Sequence, residues 1–169
     1  HYLHAETRLG DPFVKSGSKH EVSNWPDAIS KAAEGLARFK GEEVAVIGSG
    51  RMTNEELYLL RRLADSLETD FLSLVPRFGE SDGKLIAADR NPNTCGAKLI
   101  WASRNPYSKL ESIRQGVVDG RIKALVVFYE DLLGDAGFKV EDLGNLDFLV
   151  SNNILTNGTA KASHVVLPG

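Results

Sequence analysis

The sequence predicts a three-layer α/β/α domain around a doubly wound, mostly parallel, Rossmann-like sheet, and three observations support this fold class. Short apolar runs alternate with amphipathic helical segments, which is the pattern of parallel β-α-β units. The runs are continuously apolar, as expected of strands that are buried on both faces. One of them, residues 44–47, leads through a turn with two glycines directly into a helix that begins with a capping sequence.

The chain before this strand is predicted to hold an arm and one helix. Residues 1–22 are polar and irregular, so we expect an arm or linker there, and a single α/β domain over residues 23–169. Ser23 or Asn24 is placed to cap a helix that runs to about residue 40.

The strand over residues 44–48 is followed by a helix that we predict over residues 54–68. Thr53 and Glu56 have the Thr-x-x-Glu spacing of a capping box, in which each side chain accepts from a free backbone amide of the first turn. The apolar residues that follow recur at three- and four-residue steps and predict one buried stripe, formed by Leu57, Leu60, Ala64 and Leu67.

The turn between this strand and helix is the first candidate binding site. A helix N-terminus carries unpaired amides and a partial positive charge, which attract anions. The turn reads Gly-Ser-Gly-Arg-Met-Thr, without the third glycine of a dinucleotide fingerprint and without the Gly-Lys-Ser/Thr of a phosphate loop. The motif alone therefore fits a ligand-free turn as well as a phosphate site, whose candidate residues are Gly48, Ser49, Gly50, Arg51, Asn54 and Glu55.

Four further strands and three helices complete the predicted fold. The strands are expected at residues 71–75, 124–129, 146–150 and 164–167. Ser108 and Glu111 form a second capping box for a helix to about residue 118, and a short helix is expected over residues 156–162. The segment 76–106 is rich in Gly, Pro, Asn and Asp, with a short helix expected around residues 84–88. Such a long irregular segment usually has a function or packs against another protein.

Composition excludes several classes of function. The net charge is −3 with acidic and basic residues interspersed, which argues against a nucleic-acid partner. No apolar run approaches the length of a membrane span, so direct membrane insertion is not expected. Cys95 is the single cysteine, so this chain alone cannot build a disulfide, an iron–sulfur cluster or a cysteine-rich zinc site, and a reducing cytoplasmic location fits. Because the chain begins at His1 rather than Met, we expect a fragment of a longer protein.

Four segments of the sequence resemble the molybdopterin oxidoreductase family domain. They read VSNWPDA, GSGRMTNEELY, DGRIKAL and TAKASHVVLP, and they begin at residues 22, 48, 119 and 159. Residues 89–97, DRNPNTCGA, are similar to the branch of that family to which the large iron–sulfur subunit of bacterial NADH-quinone oxidoreductase, respiratory complex I, belongs. The resemblance implies the same three-layer fold and a place in an electron-transfer complex.

The resemblance also implies where a cofactor would be held. Catalytic members bind molybdenum or tungsten through two pterin dinucleotides and usually one Cys, selenocysteine or Ser, two residues beyond an Arg. Here that Arg corresponds to Arg77, which puts Gly79 at the ligand position. Glycine offers no side chain to a metal, and the nearby alternatives Ser73, Glu80 and Ser81 fit ordinary loop residues better.

A second difference from the family lies after the strand at residues 124–129. Nucleotide-binding relatives place a Gly, a short polar residue and a Pro there, whereas this sequence has Tyr129, Glu130, Asp131 and Leu132. A bulky ring and two carboxylates would crowd and repel a pyrophosphate. We therefore interpret the glycine turn as vestigial, expect no molybdopterin dinucleotide on this chain, and assign no catalytic or metal-ligating residue.

The remaining polar and aromatic candidates favour structural roles. Adjacent Glu130 and Asp131 are expected in a solvated turn rather than as a catalytic pair. His164 opens a strand and is expected to make a strand-end contact, while Cys95 is expected in a loop or the core. Zinc binding is not expected of the remaining histidines, His1, His4 and His20. The tryptophans, Trp25 and Trp101, are expected to be packing anchors.

These inferences lead to one hypothesis and two alternatives. We expect a cofactor-free scaffold domain in a protein similar to the large iron–sulfur subunit of NADH-quinone oxidoreductase, peripheral to the inner membrane. Iron–sulfur clusters would lie elsewhere in the parent protein, and residues 1–22 and 76–106 would contact other subunits. The alternatives are a molybdenum or tungsten oxidoreductase of the formate dehydrogenase type, and a phosphate- or nucleotide-binding module at the glycine turn.

Overall fold

A seven-stranded sheet organises the computed structural model, which describes residues 4–169. The strand order is β2-β1-β7-β6-β5-β3-β4. The strands β7, β6, β5, β3 and β4 run parallel, and β1 is antiparallel to both of its neighbours. The strands are β1 (Phe13–Ser16), β2 (Lys19–Val22), β3 (Val44–Gly48), β4 (Leu72–Leu74), β5 (Ala124–Phe128), β6 (Phe148–Asn153) and β7 (Val165–Pro168).

Helices cover both faces of this sheet, which confirms the predicted three-layer fold. The first three helices pack on one face, and the others lie on the opposite face. No helix in the described part of the chain has both the length and the hydropathy that a membrane span requires. The helices are α1 (Trp25–Leu36), α2 (Asn54–Ser66), α3 (Thr94–Ile100), α4 (Leu110–Val118), α5 (Leu132–Asp135), α6 (Val140–Gly144) and α7 (Gly158–Ala162).

Strand β3 shows why its sequence is apolar at every position. Val44 and Val46 join the core beneath α1, α2 and α3, whereas Ala45 and Ile47 join the core beneath α4. All four residues are fully buried because successive side chains of a strand point to opposite faces. The predicted stripe of α2 is confirmed, since its four apolar residues are buried against the first of these cores.

Two of the three predicted helix caps are present. Asn24 Oδ1 accepts from the Asp27 amide at 2.9 Å, and α1 then ends at Leu36, earlier than expected. The capping box of α2, formed by Thr53 and Glu56, is complete. The box predicted at Ser108 and Glu111 is wrong, because α4 begins at Leu110 without a side-chain cap and Glu111 pairs with Arg114 instead.

The structure corrects two expectations about the irregular segments. Residues 13–22 are not an irregular arm but the hairpin of β1 and β2, which turns at Gly17 with φ +62° and adds two strands to the five predicted. Much of this hairpin is polar because it forms the edge of the sheet, so it lacks a continuous apolar run. In segment 76–106 the helix is α3, and none forms at residues 84–88.

His164 makes the expected strand-end contact and predicts a pH-dependent stability. Its Nδ1 accepts from the Leu149 amide at 3.0 Å, so this nitrogen must be unprotonated. Burial lowers the pKa of His164, and the charges of Lys15 and Arg38 lower it further.

Because the unfolded chain has the higher pKa, we expect stability to fall as the pH decreases below about 6.5. His164→Asn, which keeps a hydrogen-bond acceptor, should flatten the part of this dependence that comes from position 164. Urea unfolding at pH 5 and pH 7.5 measures the difference, with the exposed His4→Asn as the control. An unchanged pH dependence in His164→Asn would contradict the assignment.

Candidate functional site

The candidate site lies where β3 and β5 end next to each other. After β3 the chain adds β4 on one side, and it later returns to add β5 on the other side. In open α/β sheets, ligands bind in the crevice outside the strand ends at this kind of reversal. The crevice here has a volume of about 290 Å³, and it is lined by Arg51, Glu56, Tyr129, Asn153, Ile154 and Gly169.

The two glycines of the turn are required by packing. A Cβ on Gly48 would lie 2.4 Å from Leu60 Cδ2, because α2 crosses directly over the end of β3. A Cβ on Gly50 would lie 2.5 Å from the Cβ of Asn91, whose side chain donates to the Val75 carbonyl at 3.0 Å. Both glycines therefore have a reason to be present that needs no bound phosphate.

Most amides of the turn already have partners within the protein. The buried Ser49 accepts from the Arg51 amide through Oγ and from the Met52 amide through its carbonyl, both at 3.2 Å. The Ser49 amide points to Met52 Sδ at 3.5 Å. The Thr53 amide donates to Glu56 Oε2 at 2.7 Å, and Thr53 Oγ1 accepts from the Glu56 amide at 3.3 Å. A carboxylate thus occupies the helix N-terminus where an anion would bind.

Tyr129 encloses the same carboxylate from the side of β5. Its hydroxyl donates to Glu56 Oε1 at 3.2 Å, which joins the end of β5 to the start of α2. Burial raises the pKa of Tyr129, and the negative charge of Glu56 raises it further, so the hydroxyl keeps its proton. The backbone at Tyr129 has φ +58°, an uncommon conformation for a residue with a Cβ. The ring lines the crevice.

The other predicted binding residues do not converge on the crevice. Arg51 lines it, but the exposed Asn54 and Glu55 lie instead beside Tyr58 on the outer surface of α2. Asn54 Oδ1 accepts from Asn93 Nδ2 at 3.0 Å, and the Asn93 amide donates to the carbonyl of Gly50 at 2.8 Å. Segment 76–106 therefore clamps the turn from outside, an arrangement that sequence reasoning missed.

A buried ion pair lies behind the crevice, where a solvated turn was predicted. Glu130 is buried, and Arg77 donates to both of its carboxylate oxygens, at 2.9 and 2.5 Å. Arg77 also donates to Asp135 at 2.9 Å, and its hydrogen bonds to Glu130 raise the pKa of the guanidinium. Asp131 accepts from the Thr159 hydroxyl at 3.1 Å. The prediction of a solvated turn is wrong because it considered Glu130 without Arg77.

The positions that would hold a metal are used for loop structure. The Gly79 amide donates to the Ala88 carbonyl at 2.9 Å, and a Cβ on Gly79 would lie 2.9 Å from Arg90 Nε. The Ser81 hydroxyl donates to the Ile86 carbonyl at 2.8 Å. Of the other two alternatives, the hydroxyl of Ser73 is buried against the Pro106 carbonyl, and Glu80 is exposed. These residues do not fit a coordinating site.

The histidines are dispersed. His4 is exposed, the Nε2 of His20 lies 2.7 Å from the Ser163 carbonyl, and His1 lies outside the described residues. Over residues 4–169, no three His, Cys, Asp or Glu side chains lie close enough together to hold a metal ion.

One network that the sequence did not indicate holds segment 76–106 in place. The Tyr107 hydroxyl donates to Asp89 at 2.9 Å, lies 2.6 Å from the Thr94 hydroxyl, and accepts from Asn91 at 3.1 Å. An aspartate eighteen residues before a tyrosine is no recognisable motif, so only the folded loop brings these groups together.

The tryptophan and cysteine predictions have mixed outcomes. Trp101 is buried and donates from Nε1 to the Leu57 carbonyl at 3.0 Å, which confirms an anchor that joins α3 to α2. Trp25 is 45% exposed, so it is not the packing anchor expected, because it lies at the open start of α1. Cys95 is exposed on α3 rather than in a loop or the core.

Comparison with known proteins finds relatives over part of the chain. It is 33% identical over 63 residues to F420-dependent formate dehydrogenase 2 subunit alpha of Methanococcus maripaludis, a stretch that is 37% of this chain and 9% of that protein. Probable oxidoreductase YjgC of Bacillus subtilis is 33% identical over 67 residues, 37% of this chain and 7% of YjgC. A subunit of the NADH-quinone oxidoreductase of Streptomyces coelicolor is 31% identical over 86 residues, 48% of this chain and 10% of that subunit. No family model matches the chain. The matches thus span a tenth or less of each relative's length.

The buried ion pair provides a test of the site's construction. Arg77→Met leaves the Glu130 carboxylate buried and unpaired, so we expect it to lower the free energy of unfolding by about 3 kcal/mol. The double variant Arg77→Met/Glu130→Leu should recover most of that loss because it removes both charges. Urea unfolding of the single and double variants measures the coupling.

Arg114→Met is the matched control because Arg114 pairs with a largely exposed Glu111, and it should cost less than about 1 kcal/mol. A loss at Arg77 no larger than at Arg114 would contradict a structural role for the pair.

Proposed function

We propose that this chain is a scaffold domain without an active site of its own. Its predicted resemblance to the molybdopterin oxidoreductase family is confirmed by its relatives. Its place would be a protein similar to the large iron–sulfur subunit of an NADH-quinone oxidoreductase. Electron transfer would be the activity of the whole complex, which would lie at the inner membrane and carry iron–sulfur clusters on other segments.

The observation that supports this proposal is the carboxylate of Glu56, which caps the N-terminus of α2. A pyrophosphate at the switch point would have to displace Glu56 from the Thr53 amide and from the Tyr129 hydroxyl. Each contact replaces one that a ligand would make, so the protein gains little by binding an anion there.

The residues at the position of a metal ligand support the proposal separately. Gly79 stands at the position where the family supplies a metal ligand, and the serines around it are hydrogen-bonded to backbone carbonyls. These residues do not fit a molybdenum or tungsten site. A chain with Cys95 as its single cysteine also leaves cluster binding to other parts of a parent protein.

The scaffold proposal needs a surface for other subunits, and segment 76–106 offers one. The Tyr107 network holds the base of this segment, while Asp82 Oδ1 accepts three backbone amides at its tip, from Lys84, Leu85 and Ile86. Leu85 is 95% exposed and Phe78 is 67% exposed. Large apolar side chains held outward on an ordered loop favour contact with another protein surface.

Two other functions have specific observations in their favour. The formate dehydrogenase alpha relatives support a molybdenum or tungsten oxidoreductase. This chain would then form one side of the cofactor site. The glycine turn before α2 supports a phosphate- or nucleotide-binding module. Both require a ligand at the crevice, so one set of measurements separates them from the scaffold.

The binding test compares two neighbouring glutamates. We expect calorimetric titration of the chain with pyrophosphate or GDP to show no saturable binding. Glu56→Ala frees the Thr53 amide and removes a negative charge, so weak anion binding should appear. Glu55→Ala removes the same charge from an exposed position without freeing an amide, and should leave the titration flat.

Saturable binding by the unchanged chain would contradict the closed crevice and support the nucleotide module. Stoichiometric molybdenum or tungsten in the native, full-length protein would favour the enzyme alternative over the scaffold.

A further inference from the structure

Strand β2 leaves one edge of the sheet open. Among residues 4–169 its strand neighbour is β1, on one side. The opposite edge is covered, since the Leu74 amide of β4 donates to the Pro106 carbonyl at 2.9 Å and all of β4 is buried. An edge strand with unpaired backbone groups is a template for another strand.

The hydrogen bonds of the hairpin show which backbone groups face outward. The Ser23 amide donates to the Pro12 carbonyl at 2.8 Å, just beyond the paired residues Val22 and Phe13. In an antiparallel pair, alternate residues turn their amide and carbonyl toward the neighbour. The odd-numbered residues of β2 therefore face β1, and the backbone groups of His20 and Val22 face away from it.

We propose that β2 pairs antiparallel with β2 of a second copy of this chain, about a two-fold axis at His20. In this register the outward backbone groups of His20 meet those of His20 in the second copy. Lys19 then lies opposite Glu21 of the second copy, twice across the axis. The two sheets become one continuous sheet.

Charge and hydrogen bonding select this register over its neighbours. A shift of one residue would set outward backbone groups against inward ones and lose the ladder. A shift of two residues would place Lys19 opposite Lys19 or Glu21 opposite Glu21, which is unfavourable. Both side chains are exposed, and neither forms an ion pair within the described residues.

Exposed apolar groups lie on the same face as these charges. Glu21 pairs with Val14, whose side chain packs against the core beneath α1, so Lys19 and Glu21 also project on the α1 side. Trp25 and Ile29 are one helical turn apart on α1 and are 45% and 52% exposed. A two-fold axis perpendicular to the sheet keeps both α1 helices on this face, with these side chains toward the seam.

The flank of α1 that carries these residues is the one nearer to β2. On the other flank, Gly35 faces Phe148 of β6, with a Cβ position only 2.1 Å from the ring. At about 100° per residue, Ile29 lies on one side of the sheet-facing Ala28 and Ala32, and Gly35 lies on the other side. Trp25 and Ile29 would therefore shield the new strand pair from water.

The test uses the whole 169-residue chain. Four-residue strands make an interface below the standard size, so we expect a weak dimer, with dissociation between about 10 µM and 1 mM. Sedimentation equilibrium over that range should show the mass rising toward a dimer. A chain that remains monomeric throughout overturns the proposal, including the case in which another protein occupies this edge.

A charge exchange identifies the register. Lys19→Glu places two glutamates opposite each other and Glu21→Lys places two lysines, so each variant alone should associate at least about tenfold more weakly. An equimolar mixture of the two restores opposite charges at both positions and should dimerise as the unchanged chain does. The double variant Lys19→Glu/Glu21→Lys should also dimerise. Failure of the mixture and the double variant to recover would overturn this pairing.

Lys40→Glu is the matched control, since it makes the same change in net charge at an exposed position, where Lys40 pairs with Glu68. Its association should equal that of the unchanged chain, while Trp25→Ala should weaken association several-fold. Equal weakening by Lys40→Glu and Lys19→Glu would indicate a general charge effect and overturn the proposed contact. Circular dichroism verifies that each variant keeps the fold.

Discussion

The rest of the structure depends on the burial of β3 on both faces. Residues 44–47 have no exposed surface, so helices must cover the sheet above and below them. From β3 the chain passes through α2 on one face to β4, and from β4 it later passes through α4 on the other face to β5, so a crevice forms where the strand order reverses. The same constraint brings α2 down onto the end of β3, where Gly48 leaves room for Leu60. Fold and candidate site thus have one origin.

The two glycines of the turn have structural roles. Gly48 and Gly50 are in contact with Leu60 and Asn91, so replacing either would disturb packing whether or not a phosphate is bound. Glu56 meanwhile fills the helix N-terminus with a carboxylate of the protein itself. A turn of this sequence consequently indicates a strand that leads into a helix more reliably than it indicates a bound ligand.

The sequence predicted elements whose signal is local. The five parallel strands follow from continuous apolar runs, and the cap of α2 follows from two residues three positions apart. The hairpin of β1 and β2 was missed because an edge strand is half polar. Arg77 and Glu130 were missed as a pair because they are 53 residues apart and meet only in the folded sheet. The hairpin and the ion pair both depend on where their residues lie in the folded chain, which the residue types alone do not indicate.

The potential contacts of the domain with other proteins include the two ends of its sheet. At one end, segment 76–106 is held by Tyr107 and presents Leu85 and Phe78 outward. At the other, β2 presents unpaired backbone groups beside Trp25. At the switch point, Glu56 accepts from the Thr53 amide and the Tyr129 hydroxyl, and the neighbouring Glu130 pairs with Arg77. Apolar side chains exposed at both ends of the sheet suit contacts with other protein surfaces, although others, such as Leu59 on α2 and Leu99 on α3, are exposed on the helices.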